Sequence, residues 1–208
     1  MEINFEANKY EFIDIIKSIN REGADINALL YKLSESDFFE APYTANAHLA
    51  VKGGLCYHSL NLYKNFKELV EKYCGDKISD DTVKILGLLS GIANMNKFEI
   101  VPKSKKDYCE NGKFSDELGR FNWKAVKGYQ IREDHFAYGH FGQNSEYIVG
   151  TYIPLTFEES VCITNQKGNF TEEYQPYDMS LIYKKHPLAS LLFVANLLTT
   201  TIDERDAD

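Results

Sequence analysis

Apolar residues recur along this chain at three- and four-residue intervals, broken by glycine, proline and short polar stretches, a rhythm that predicts a mostly helical molecule. Phe12, Ile15, Ile16 and Ile19 share one side of a first helix over Lys9 to Arg21, and a second, capped by Asp25, runs to Leu33. Residues 35 to 53, with Pro42 and the Gly53-Gly54 pair, read as a loop leading into the stretch around which the chain is organised. There Leu55, His58, Leu62, Phe66 and Leu69 form one apolar stripe, and the helix stops near Gly75. Ser79 caps the next helix, with Asp80 and Asp81 in its electropositive first turn and Val83, Leu86, Ser90 and Ala93 along its inner stripe.

The period then changes. Pro102, Asn111-Gly112 and Gly119 mark a long irregular region, after which Phe121 to Ile131 alternates as a strand does. Asp134 to Tyr138 reads as its returning partner, which predicts a hairpin about Arg132-Glu133-Asp134. Helical spacing resumes from Gln143 to Tyr152 and is stopped by Pro154. Thr156-Phe157-Glu158-Glu159 has capping-box spacing and opens a helix that fades by Gly168. Pro187 starts the last helix, with Leu188, Leu192, Ala195 and Ile202 turned inward and Asn196 beside them. The predicted architecture is mainly α with a small inserted β-hairpin. It forms a single domain over residues 1–208, with an N-terminal helical extension over 1–34 and an irregular insertion around 100–141.

A histidine on an apolar helix face is either a hydrogen-bonded core residue or a metal ligand, and for His58 the partners decide. Composition narrows the setting. At 44% apolar and 26% charged residues the chain has the balance of an ordinary soluble globular protein. Met1 to Glu6 is acidic and lacks an apolar run, and Leu188 to Leu198 is too short to span a bilayer, so a cytoplasmic protein without a membrane partner is expected. Cys56, Cys74, Cys109 and Cys162 are too scattered for a structural zinc site and are expected as free, mostly buried thiols. The net charge of −8 argues against a long nucleic acid as partner. Lys97 to Arg132, however, holds nine Lys/Arg against five Asp/Glu. Such a basic island fits a small anionic ligand, or else a solvated surface.

The run Lys52-Gly53-Gly54-Leu55-Cys56-Tyr57-His58-Ser59-Leu60-Asn61 and the later Gly87-Leu88-Leu89-Ser90-Gly91-Ile92-Ala93-Asn94-Met95-Asn96 resemble the HD-domain phosphohydrolases, in particular a phage and bacterial branch. Gly128-Tyr129-Gln130-Ile131-Arg132-Glu133-Asp134 and Gly142-Gln143-Asn144-Ser145-Glu146-Tyr147 extend the likeness. It implies an HD-type helical bundle from about Leu30 onward, built around divalent metal held by histidines and aspartates. The family's first histidine corresponds to His58, but its His-Asp pair falls on Ser90-Gly91 and the lysine after it on Asn94. A further histidine falls on Phe141, with His140 one residue early; a His-His pair falls on Asn165-Gln166, and the closing aspartate on Asn196. Ser, Asn, Gln and Phe cannot supply the charge compensation that Asp and His give a divalent cation. The resemblance therefore implies a degenerate member with no metal, no cofactor and no hydrolysis by the family mechanism.

Amides and hydroxyls in place of charged ligands suit a site that binds rather than cleaves. His58, Ser90, Asn94, Asn165, Gln166 and Asn196 are the expected polar shell, with Tyr57 and Phe141 as stacking faces. Lys97, Arg120, Lys124, Lys127 and Arg132 are candidates for phosphate, the two arginines foremost because a planar fork matches it. The expected function is to bind and sequester a phosphate-bearing, cyclic nucleotide. If the chain is phage-encoded, it would do so in the host cytoplasm against nucleotide-signalling defence, as a homodimer or higher homo-oligomer closing around a symmetric ligand. The alternatives are a metal-independent phosphohydrolase using His58 or His140 as acid or base, and a protein-interaction module with a vestigial pocket.

Overall fold

The computed structural model describes residues 3–46, 48–168 and 179–205, and its helices follow the stripes read from the sequence. α1 (Phe5–Lys17) is capped by Asn4, whose side chain accepts from the Ala7 N–H, and α2 (Ile26–Glu35) by Asp25, which accepts from Ala28. α1 ends earlier than the periodicity predicts because Ser18 turns its hydroxyl back onto the Ile15 carbonyl, leaving Arg21 in the loop beyond. α3 (Gly54–Tyr73) is the hub of the bundle and contacts α1, α4 (Asp80–Leu89) and α8 (Pro187–Leu198). Leu55, Leu62 and Phe66 are fully enclosed or nearly so, and His58 sits among them.

α5 (Phe141–Tyr152) and α6 (Phe157–Thr164) pack together on the other side of a short 3-10 turn at Ile92–Asn94. α6 carries the predicted capping box, Thr156 and Glu159 exchanging side-chain-to-backbone bonds. α7 (Met179–Lys185) precedes α8. α8 runs on as a π-helical turn over Thr199–Asp203, which buries Thr199 and swings Ile202 into solvent at 65% exposure, where an inward position is expected from the sequence. Among the described residues no helix is long and apolar enough to cross a membrane.

The hairpin is displaced from its predicted place. β1 (Phe98–Tyr108), β2 (Phe114–Asp116) and β3 (Gly119–Ile131) form an antiparallel sheet in the order β1-β3-β2. β3 pairs with β1 from Phe98↔Ile131 to Tyr108↔Phe121, so the partner strand precedes β3. The predicted returning strand at Asp134 to Tyr138 is instead bend and coil. Lys and Asp along β1 blur its alternation, and Pro102 sits opposite Lys127 without ending the strand. Tyr108, Phe114 and Trp123 gather around Phe121 at the far end of the sheet, with Lys106 over the Phe121 ring. Of the four thiols, Cys56 and Cys162 are buried, Cys74 is partly so, and Cys109 is exposed.

One polar contact lies deep in the bundle. Glu159 is completely buried, and Arg21 reaches it from the α1–α2 loop with both terminal nitrogens, at 2.5 and 2.8 Å. Thr82 of α4 adds a hydroxyl bond at 2.7 Å. Close approach matters at Gly54 as well. A Cβ there would lie 2.4 Å from the Leu49 carbonyl oxygen and 3.1 Å from the Tyr43 nitrogen. Gly54→Ala should therefore push Tyr43 and Leu49 off α3 and cost about 1–3 kcal/mol in urea unfolding, against the small gain alanine brings to an unconstrained helix position.

Candidate functional site

His58, placed by the apolar stripe of α3, is 1% exposed, and the Tyr43 ring lies flat on it at 3.7 Å between centroids. Its Nδ1 is 2.9 Å from Oε2 of Glu204, a carboxylate brought in by the turn after α8. The same oxygen is 2.6 Å from Nε2 of His48, on the loop before α3, while the Asn61 amide donates to Oε1 at 2.8 Å. Burial pushes the Glu204 carboxyl up, but the bonds from His58, Asn61 and His48 outweigh it and hold the group below the usual carboxylate range. The Tyr43 hydroxyl is driven the other way, upward, by its own burial and by the Glu204 charge.

His58 is thus not a solitary survivor. Its neighbours come from outside the positions that the family resemblance pointed to. His48 lies in a segment that reads as loop, and Glu204 lies beyond the predicted last helix. A histidine near a Gly-Gly turn and a glutamate after an apolar helix carry no spacing signal that joins them, since 156 residues separate the pair.

Of the other expected shell residues, Phe141, Asn165 and Gln166 line one small pocket with His140, and Gln166 reaches back to Ser90. Asn94 is buried and donates to the Tyr43 carbonyl at 2.9 Å, while Gln166 donates to the carbonyls of Ser90 and Ile163 at 2.6 and 3.1 Å. Asn165 closes α6 by bonding the Val161 carbonyl. These amides serve as backbone ties. Ser90, completely buried, ends α4, and among the described residues its Oγ has no hydrogen-bond partner. Asn196 keeps a similarly unpaired Oδ1, in a cleft of 200 Å³ beside Tyr43 and Thr200. Tyr57 is half-buried against the core. The Phe141 ring is covered by the Lys167 ammonium at 3.7 Å, with Lys97 at 5.4 Å. Arg120, Lys124 and Lys127 are exposed on the sheet, with Arg120 opposite Ser115.

Of the expected phosphate residues, Lys127 borders an apolar cleft of 390 Å³ on the sheet, and Arg132 reaches a larger cavity. It lines a groove of 630 Å³ bounded by α2, the Met95-Asn96 turn, the 132–136 segment and α5. Lys32 stands on one wall, and Tyr147, Thr151 and Tyr152 form the other. Phe136 stacks on Tyr147 at 5.7 Å, and Tyr138 lies 5.0 Å beyond, making an aromatic rim. The floor is fixed by a reciprocal pair: the Asn96 N–H donates to Asp37 and the Asp37 N–H donates to Asn96, at 2.6 and 3.1 Å. Asn96 holds a left-handed φ of 55°, which asparagine tolerates better than most side chains. The Arg132 fork engages Asp134 at 2.9 and 3.0 Å, which raises the guanidinium and lowers the carboxyl from their ordinary values. Lys32, Phe136, Tyr147 and Tyr152 were not among the residues singled out from the sequence, because each alone reads as a surface or core residue.

In comparisons with known proteins, the chain matches no protein-family model, no curated protein and no solved structure.

Proposed function

We propose that the chain is a degenerate HD-type domain that binds a small phosphate-bearing nucleotide without cleaving it, and that the ligand lies in the Arg132 groove. The observation that carries this reading is the pairing, in one cavity of 630 Å³, of a guanidinium fork and a lysine with stacked aromatic rings. A phosphate matches the fork, and a base has Tyr147 and Phe136 to lie against. Sequestration needs affinity alone, and the groove lining supplies that without an acid–base pair poised on a bond. Before a ligand arrives, Asp134 holds the Arg132 fork. That pair is exposed on both sides and screened by solvent, so it yields to an incoming phosphate.

The test is to incubate the purified chain with mono-, di- and cyclic oligonucleotides, wash, heat-denature and identify what is released. Recovery of one intact nucleotide supports the reading; a cleaved product, or no binding at micromolar concentration, overturns it. Arg132→Ala should weaken binding at least about tenfold, the worth of one charged hydrogen bond. Asp134→Asn should tighten it, because the competitor for the fork is gone. Calorimetric titration of the three proteins checks both directions.

A further inference from the structure

We propose that His48, His58 and Glu204 together bind one divalent transition-metal ion, of the zinc class, between α3 and the turn that follows α8. This inference does not rest on the nucleotide reading and concerns a different part of the molecule. His48 Nε2, His58 Nδ1 and a Glu204 carboxylate oxygen all lie within 4.8 Å of one another. A tetrahedral ion bonded at about 2.0–2.1 Å places its donors about 3.3 Å apart. The carboxylate oxygen stands 2.6 and 2.9 Å from the two ring nitrogens, so it must draw back by about 0.7 and 0.4 Å, with the rings turning to a similar spacing, to admit the ion.

The donor chemistry selects the ion. Two imidazoles and one carboxylate suit zinc and its neighbours, whereas magnesium and calcium require a shell of oxygens. The surroundings hold the donors in place. Asn61 fixes the second carboxylate oxygen at 2.8 Å, leaving Oε2 turned to the histidines, and the Tyr43 ring sets the plane of His58. On the loop, Thr44 bonds the His48 carbonyl at 2.7 Å. His58 and Glu204 are enclosed, and His48, at 15% side-chain exposure, gives the ion its way in. On binding, each ring nitrogen that faced the carboxylate gives up its N–H and becomes a lone-pair donor, the proton passing to the other nitrogen of the same ring. The carboxylate exchanges two hydrogen bonds for one ionic bond. Three protein donors leave one position of a tetrahedron, on the His48 side, for water.

The test uses the full chain stripped with chelator and titrated with Zn²⁺ by calorimetry, and with Co²⁺ by visible absorption. One ion per chain, and the intense visible band of a tetrahedral cobalt site, are expected. Zn²⁺ affinity should fall at least about tenfold in Glu204→Gln and in His48→Ala, and stay unchanged in His186→Ala, whose histidine pairs with Glu158 elsewhere. His48 is partly exposed on a loop, so His48→Ala keeps the test open should Glu204→Gln fail to fold. Zn²⁺ should also raise the melting temperature of the wild type and not that of His48→Ala. Absence of stoichiometric binding, an octahedral cobalt spectrum, or affinity indifferent to His48 and Glu204 overturns the proposal.

Discussion

Glu159→Ala should lower the stability of the protein by about 3–5 kcal/mol, one of the two largest losses expected from any single substitution outside the hydrophobic core. The carboxylate is completely buried at the start of α6, and three separate elements converge on it: Arg21 from the α1–α2 loop, Thr82 from α4 and the Thr156 N–H of its own cap. Truncation leaves the part-buried Arg21 guanidinium without its counter-charge, held only by the Pro154 carbonyl and the Thr82 hydroxyl, and removes half of the capping box at the same stroke. Glu159→Gln should cost less, because the amide oxygen still accepts one of these bonds. Chemical denaturation of the three proteins gives the ranking.

The same contact sets a dependence on acid. Burial drives the Glu159 carboxyl up, but the bonds from Arg21, Thr156 and Thr82 prevail and hold it below the ordinary glutamate range. A group whose folded value is depressed contributes stability above its unfolded value, about 4.3, and loses it as pH falls through the folded value. The wild type should therefore lose stability more steeply than Glu159→Gln on acidification below about pH 4.3, and the two denaturation curves should converge.

Local chemistry explains which parts of this architecture the sequence displays. Asp25, Ser79 and the Thr156-Glu159 box are visible because a cap acts within four residues of itself, and the α3 stripe is visible because burial there is one-sided. The start of the sheet is hidden because β1 is largely exposed on both faces, so no alternation distinguishes it from a loop. The polar residues around Ser90 and Gln166 are legible as buried, but what they bond to is not: their partners are main-chain carbonyls, which leave no mark in side-chain identity. The groove is hidden for a related reason. Lys32, Asn96, Arg132 and Tyr147 come from four separate segments, and only the packing of α2 against α5 sets them around one space. His58 shows the limit most clearly, since its position on a helix face is written in the spacing, while His48 and Glu204 reach it through long-range folding.

Glu204→Ala in metal-free protein should lower stability by an amount similar to Glu159→Ala, about 3–5 kcal/mol, although Glu204 lies outside any regular α-helix. Its carboxylate is the common acceptor for His48, His58 and Asn61. Truncation leaves the buried His58 and the part-buried His48 and Asn61 without their acceptor, a fully unsatisfied group costing about 1–3 kcal/mol, with some relief as water follows His48 inward. The contact also tethers the turn after α8 to the centre of α3, where Asn65 adds bonds to Thr199 at 2.8 Å and to Asp203 at 2.6 Å. Loss of Glu204 should therefore free that turn selectively. Hydrogen exchange is expected to quicken most over residues 199–205 and around Tyr43 and His48, while α4 and α6 lose only the protection that the fall in global stability removes. A fall in melting temperature of about 10 °C or more, with the largest exchange change in those two segments, is the expected result. Equal loss of protection across the bundle would show that the carboxylate supports the whole core and not the join between the turn after α8 and α3.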